Sequence, residues 1–268
     1  MVERDDHPLL VTEGLSISFG GLRAVDGVDS FIRKGETLGL IGPNGSGKST
    51  FFNLISGIYR PSSGKFVFEG ENLVGFKPFE IARKGIARTF QNNRLFLDLS
   101  VLDNIVIGMY QKQKATLWQT LFSYRRTKQE LSRTASEAAA LLNFFSQDLC
   151  EDRYKRVSDL AHADRKRVEI CRALALDPKL LLLDEPSAGM SPKETEDLMK
   201  DIRKIGEKME GISLIIIEHD MRVIETVAGR VIVFNYGRKI AEGTFSEISK
   251  NPAVLEAYLG EESTDVAA

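Results

Sequence analysis

Hydrophobic positions in the opening third of the chain come in short runs separated by Gly and Pro. Leu9–Phe19, Gly21–Ile32, Glu36–Ile41 and Lys65–Phe68 carry the β-branched and aromatic content of strands. A helix is predicted after Gly47, through Ser49–Gly57, stopping before Arg60–Pro61. A second is predicted over Pro78–Gly85, with Pro near its first turn and Gly at its end. Over residues 95–175 the β-branched runs thin out and Leu, Ala, Gln, Lys and Arg dominate, as in LWQTLFSYRRTKQELSRTASEAAALLNFF; this reads as a helical subdomain inserted into an α/β core.

Beyond it, Leu180–Leu183 is an all-apolar run suited to a parallel strand buried on both faces. A helix (Pro192–Met209), the strand Ser213–Ile217, a helix (Met221–Ala228) and strands at Arg230–Asn235 and Arg238–Glu242 follow. That β–α–β alternation predicts a mostly parallel sheet with crossover helices and no internal repeat. No apolar run approaches the roughly eighteen residues of a membrane span, and MVERDDHP has no apolar signal region, so neither a membrane-crossing nor an exported chain is expected.

Bulk composition changes this picture little. With 268 residues, 43% hydrophobic and 28% charged, the chain has material for one large domain or two modest ones. The net charge of −2 gives no global field to recruit nucleic acid or an anionic membrane. The basic clusters Arg125–Arg126 and Arg165–Lys166–Arg167 read as solvated helix faces. Two cysteines, Cys150 and Cys171, have no metal-ligand spacing and read as reduced, packed thiols of a cytoplasmic protein.

The most informative stretch is GPNGSGKST, Gly42–Pro43–Asn44–Gly45–Ser46–Gly47–Lys48–Ser49–Thr50. It fits G-x-x-x-x-G-K-[ST] directly after one strand and before a helix, where backbone N–H groups and a helix dipole can cradle phosphate. In that motif Lys48 reaches the β- and γ-phosphates and the Ser49 hydroxyl ligates Mg²⁺. LLLLDEP supplies the complement: Asp184, at the end of a buried strand, to hold the Mg²⁺ shell, and Glu185 to polarise an attacking water as general base. The bland alternative for Asp184–Glu185 is a charge pair at a helix N-terminus. His219 follows the strand of SLIIIEHD; it is either structural or placed to contact the γ-phosphate and orient the water. Gln91, after the strand-like TF of ARTFQNNRLF, offers an amide that can sense both Mg²⁺ and water; alone it would count for nothing.

P-loop, Gln91, LAHAD, LLLLDEP and His219, in that order, resemble the ATP-binding subunits of ABC transporters over residues 8–260. The resemblance implies an α/β fold: a P-loop NTPase, ABC-type ATPase core (8–94 and 176–250) with an antiparallel β patch, an inserted helical subdomain (95–175) and a C-terminal helix and tail (251–268). It implies ATP and Mg²⁺ as cofactors and gives Phe19 a role stacking on adenine, the alternative being a core residue. GLRAVDGV, FKPFEIARKGIARTFQNNRLF, DEPSAGMSPKE, IIIEHDMRVI, the segment Ala115–Thr134 and NPAVLEAYLG look most like the G-type of the two ATP-binding subunits of the high-affinity branched-chain amino acid transporter family. Related systems serve urea, short amides or lipopolysaccharide export. SAGMSP lacks the Asp that the wider superfamily has after the Gly, as this subfamily does.

Such a subunit is expected on the cytoplasmic face of a bacterial inner membrane. Its partners would be a second ATP-binding subunit, in a heterodimer or a homodimer, and transmembrane permease subunits docked near Gln91, with Asn92–Leu99 as contact; no nucleic acid is expected. A soluble ATPase acting on DNA or ribosomes would carry two cassettes or a long coiled coil, and a non-hydrolysing regulatory module would have no use for Glu185 and His219. The superfamily signature reads L-S-G-G-Q and serves the partner's ATP. Here it is Leu160, Ala161, His162, Ala163 and Asp164. Ala163 stands out, since its methyl is expected to crowd phosphate and to forbid φ > 0. The helix N-terminus behind it remains, so a weakened half-site in a functionally asymmetric heterodimer is expected.

Overall fold

The computed structural model describes residues 7–90, 94–112 and 124–265. Two sheets organise it. The first is antiparallel, in the order β2 (Leu22–Arg33), β1 (Pro8–Phe19), β4 (Ser63–Phe68) and β5 (Glu71–Asn72). The second runs β10 (Arg238–Gly243), β9 (Arg230–Asn235), β3 (Thr37–Ile41), β8 (Ser213–Ile217), β7 (Leu180–Asp184) and β6 (Ile86–Arg88). It is parallel from β9 to β6, with β10 antiparallel at the edge.

Successive side chains of a strand point to opposite faces, so a strand without polar positions must be covered twice. The central strands meet this condition. Leu180 and Leu182 face the layer shared with the antiparallel sheet, as do Ile215, Ile217, Ile232 and Phe234. Leu181, Leu183, Leu214, Ile216, Val231 and Val233 face the helices. On that helical side Gly39 is held to a hydrogen atom, because a Cβ there would lie 2.7 Å from Cγ2 of Ile224 on α8 (Met221–Val227).

The helices are α1 (Lys48–Ile55), α2 (Pro78–Lys84), α3 (Val101–Gly108), α4 (Tyr124–Phe145), α5 (Gln147–Glu151), α6 (His162–Leu174), α7 (Pro192–Lys208), α8, α9 (Phe245–Ile248) and α10 (Pro252–Asp265). Ser100 caps α3, Ser146 caps α5, and a Ser191–Glu194 capping box starts α7 ahead of Pro192. The helical segment between residues 101 and 174 shares one apolar core with the sheet: Val101, Ile105, Ala138 and Leu142 join Leu181 and Leu183 through α6. None of the described helices is long and apolar enough to cross a membrane.

The expected strand at Thr89–Phe90 is absent: β6 ends at Arg88, and Thr89 only continues its bond to Leu182. The solvated-face reading of Arg165–Lys166–Arg167 is also corrected. Lys166 is 3% exposed and pairs at 3.4 Å with Glu169, and Arg167 bridges Asp201 and Asp164. This face of α6 lies where helices meet sheet, so its charges turn inward onto partners. Side chains of Arg125 and Arg126 lie outside the described residues. Cys150 and Cys171 are free thiols; Cys171 is buried, which pushes its pKa well above the ordinary value.

Leu182 fills the inter-sheet layer with no exposure. Leu182→Ala is expected to lower stability by about 2–5 kcal/mol, measured by urea denaturation.

Candidate nucleotide-binding site

The loop between β3 and α1 is shaped by glycine backbone. Gly42 sits at φ 146° and Gly47 at φ 104°. A Cβ at Gly42 would stand 2.1 Å from the Phe234 carbonyl, and one at Gly47 2.4 Å from that of Ala24. The loop is thus wedged between β9 and β2, and the Tyr236–Gly237 turn locks it, Gly237 N–H donating to Ser46 O at 2.9 Å.

α1 starts without a side-chain cap and without an acidic residue in its first turn, which leaves its N-terminal N–H groups to an anion. The buried Ser46 hydroxyl has no hydrogen-bond partner among the described residues. Lys48, 6% exposed, donates to the Gly42 and Pro43 carbonyls at 2.7 and 2.9 Å, so its ammonium is stored inside the loop. These groups suit phosphate oxygens.

A cavity of about 420 Å³ opens over this loop, lined by Phe19, Leu22–Ala24, Asn44–Thr50, Glu185, Tyr236 and Gly237. Phe19 is 45% exposed and meets Tyr59 edge-to-face at 5.2 Å; it is a cavity residue, and the core alternative fails. Glu185 has φ 44°, left-handed backbone for a non-glycine residue, a strain of about 1–3 kcal/mol of the kind that collects at active sites. Its N–H bonds to the Ile217 carbonyl at 3.0 Å, and the next helix begins only at Pro192, so the helix-terminus reading of Asp184–Glu185 fails too.

Two expected residues are placed differently. Asp184 ends β7 but turns away from the cavity: its carboxylate, 5% exposed, accepts from Arg88 at 2.7 Å. Arg88 also donates to Asn53 on α1 and to Ser56 at its C-cap, at 2.7 and 3.1 Å. Burial lowers the Arg88 pKa, against the opposing pull of Asp184. His219 is 64% exposed and lines a separate cleft of about 590 Å³ between α7 and α8, not the P-loop cavity. Gln91 lies outside the described residues.

The signature segment is α6 with Ala161 as N-cap, and no side chain caps it. Ala161 and His162 are exposed, while Ala163 is buried in the first turn and outside the positive-φ residues. The limit that alanine sets on φ > 0 is of no consequence here, since Ala163 sits in ordinary helix, and its methyl is buried in the fold rather than exposed where crowding of phosphate was expected. His162 Nε2 bonds to the Ala188 carbonyl at 3.0 Å, tying this loop to SAGMSP. Asp164 faces Arg167.

Sequence reasoning missed Arg88, Tyr236 and Glu218. Glu218 is fully buried, and its Oε1 accepts from Ser187 N–H at 2.9 Å and from Ser187 Oγ–H at 2.7 Å. Burial raises its pKa, and its Oε2 has no hydrogen-bond partner among the described residues, with His219 Nδ1 3.8 Å away. A glutamate directly after the apolar run of β8 was the available signal.

No described group of three or more His, Cys, Asp or Glu side chains could hold a metal alone. The Ser49 hydroxyl lines the cavity and the Asp184 carboxylate, held by Arg88, ends β7; both are oxygen donors of the kind Mg²⁺ takes together with phosphate and water.

Glycine-walled loop, uncapped helix, stored lysine and strained carboxylate at the ends of parallel strands define a P-loop nucleotide-binding ATPase cassette. The ABC transporter family matches residues 25–188, and the C-terminal segment 238–264 matches the branched-chain amino acid ATP-binding cassette transporter family. The chain belongs to the ABC transporter family. It is 39% identical over 255 residues to the high-affinity branched-chain amino acid transport ATP-binding protein LivG of Salmonella typhimurium, covering 95% of this chain and 99% of that one. To BraF of Pseudomonas aeruginosa, which bears the same description, it is 37% identical over 258 residues, again 95% and 99%. Among solved structures, a nucleotide-free ATP-binding cassette from an ABC transporter superposes with TM-score 0.81 at 31% identity, covering 94% of this chain and 99% of that one. A cassette in an ADP conformation gives 0.81 at 30%, covering 95% and 99%.

Because the folded pKa of Glu218 is raised, the folded state holds its proton more tightly than the unfolded chain does. Its contribution to stability is full below the ordinary glutamate value and is lost as pH rises through the raised one. Glu218→Gln, a fixed mimic of the protonated form, is expected to flatten this decline; urea denaturation from acid to neutral pH checks it.

Proposed function

We infer that this chain is the ATP-binding and hydrolysing subunit that energises a membrane importer for branched-chain amino acids. It works at the cytoplasmic face of a bacterial inner membrane, with a second ATP-binding subunit and transmembrane permease subunits. The observation that carries this reading is the single cavity that joins Phe19, the P-loop and Glu185. The substrate class rests on the relatives' descriptions and the C-terminal family match.

In this reading adenine stacks on Phe19, and the phosphates take the α1 N–H groups and Ser46. Lys48 exchanges the Gly42 and Pro43 carbonyls for β- and γ-phosphate oxygens, a move its flexible stem permits. Ser49, Asp184 and Gln91 would hold Mg²⁺, which would supply charge neutralisation of the phosphates. Glu185 polarises the attacking water, its left-handed backbone turning the carboxylate into the cavity. His219 completes the γ-phosphate contacts only after it leaves the α7–α8 cleft, so its placement belongs to the closed, dimeric state.

The cavity is open on one side, and α6 supplies the matching half-site for the partner's ATP. With Ala163 buried, the weakening rests on Ala161, which lacks the signature hydroxyl at an exposed N-cap. A heterodimer with an intact partner signature would hydrolyse the two ATPs unequally. The permease contact is supported by Phe96, Leu97 and Leu99, all exposed, beside a cleft of about 280 Å³ bordered by Ile107, Tyr110 and Arg172. Asn92 and Asn93 lie outside the described residues.

Glu185→Gln is expected to cut ATP turnover by about 10²–10⁴-fold and to leave a lasting ATP-bound dimer when the partner is present. Phosphate release and size-exclusion chromatography test both; unchanged turnover overturns the assignment. In the assembled complex, with one P-loop lysine mutated at a time, Ala161→Ser is expected to raise turnover at the partner's P-loop about fivefold, through a restored hydroxyl and cap worth about 1 kcal/mol. Ala163→Gly should leave it unchanged.

A further inference from the structure

Arg88 stands between two places that the proposed reaction keeps separate. On one side its Nη2 holds Asp184 at 2.7 Å; on the other it lines the cleft with Ile107, Tyr110, Glu169 and Arg172. Its side chain is 8% exposed, sandwiched near the rings of Phe52 and Phe90 at 5.4 and 5.2 Å, and its Nε is a buried donor with no hydrogen-bond partner among the described residues. Two residues on, the Phe90 peptide is gripped at both ends by α6: its N–H donates to Glu169 at 3.0 Å, and its carbonyl accepts from Lys166 at 3.4 Å.

We propose that Arg88 is a charge relay between the metal-binding carboxylate and the docking cleft, neutralising Asp184 in the absence of a divalent cation and giving it up when one arrives with ATP. This rests on the assignment of Asp184 above. One buried carboxylate does not serve a guanidinium and a divalent cation equally at once, since the two positive charges repel in a poorly screened setting. The displaced guanidinium has an acidic side chain on its cleft side, Glu169. Reaching it sets Arg88 in competition with Lys166 and the Phe90 N–H, and so loosens the peptide just ahead of Gln91. Linkage makes the effect reciprocal: a group of a membrane subunit that draws Arg88 into the cleft frees Asp184 for the cation.

The test is binding of Mn²⁺ by the full chain in the presence of ATP, read from the electron paramagnetic resonance of free Mn²⁺. Arg88→Gln is expected to tighten Mn²⁺ about fivefold, because the competitor is gone, with ATP affinity in EDTA unchanged. Arg88→Lys, which keeps the charge, is expected to restore weaker binding. A folded Arg88→Gln chain with wild-type Mn²⁺ affinity overturns the proposal. If that variant does not fold, hydrogen exchange on the wild type decides. Amides of residues 86–90 exchange faster with ATP and Mn²⁺ than with ATP and EDTA if Arg88 is displaced; equal rates overturn it. Loss of ATP binding in EDTA by the wild type would instead strike the reading of the nucleotide site itself.

Discussion

The phosphate loop depends on backbone packed closer to backbone than any side chain allows. Gly42 abuts the carbonyl of Phe234, and Gly47 that of Ala24, so β9 of the parallel sheet and β2 of the antiparallel sheet both set the loop's shape. The two sheets could not shift relative to each other without opening it. This explains why one apolar layer, from Leu10 and Phe66 through Phe52 to Leu182 and Phe234, runs unbroken between them. The loop in turn fixes where α1 begins and where its free N–H groups point.

Around this rigid centre the functional side chains are held by buried charge rather than apolar packing. Arg88 with Asp184, Lys166 with Glu169, Arg167 with Asp201, and Glu218 with Ser187 lie along the ends of β6, β7 and β8 and the face of α6. Buried pairs of this sort contribute little net stability against hydrophobic replacements, whereas breaking one by removing a single partner costs about 3–5 kcal/mol. Their use here is positional. Arg88 with Asp184 joins β6 to β7, Arg167 with Asp201 joins α6 to α7, and Glu218 with Ser187 joins the segments that follow β8 and β7, as His162 joins the signature segment to SAGMSP.

Much of the fold was legible because its signals are local. The leucines of β7 announced a strand covered twice, and Gly, Pro and capping residues marked the ends of α1, α2 and α7 within a residue or two. The P-loop is likewise a contiguous motif in which spacing carries geometry. Readings that failed concerned orientation. Ala163 seemed to oppose phosphate, yet helix phase buries it; Arg165–Lys166–Arg167 seemed solvated, yet α6 packs that face inward.

By itself the sequence determined the phosphate loop, the order of strands and helices, and the carboxylates at the end of β7, since each depends on neighbours within a few residues. Only the tertiary structure decided that Glu185 enters the cavity while Asp184 turns to Arg88, ninety-six residues away in the chain. It alone placed His219 in another cleft and joined Phe90 to Glu169 across seventy-nine residues. A side chain's partner across such separations is set by which strands and helices lie side by side, and no local pattern encodes that.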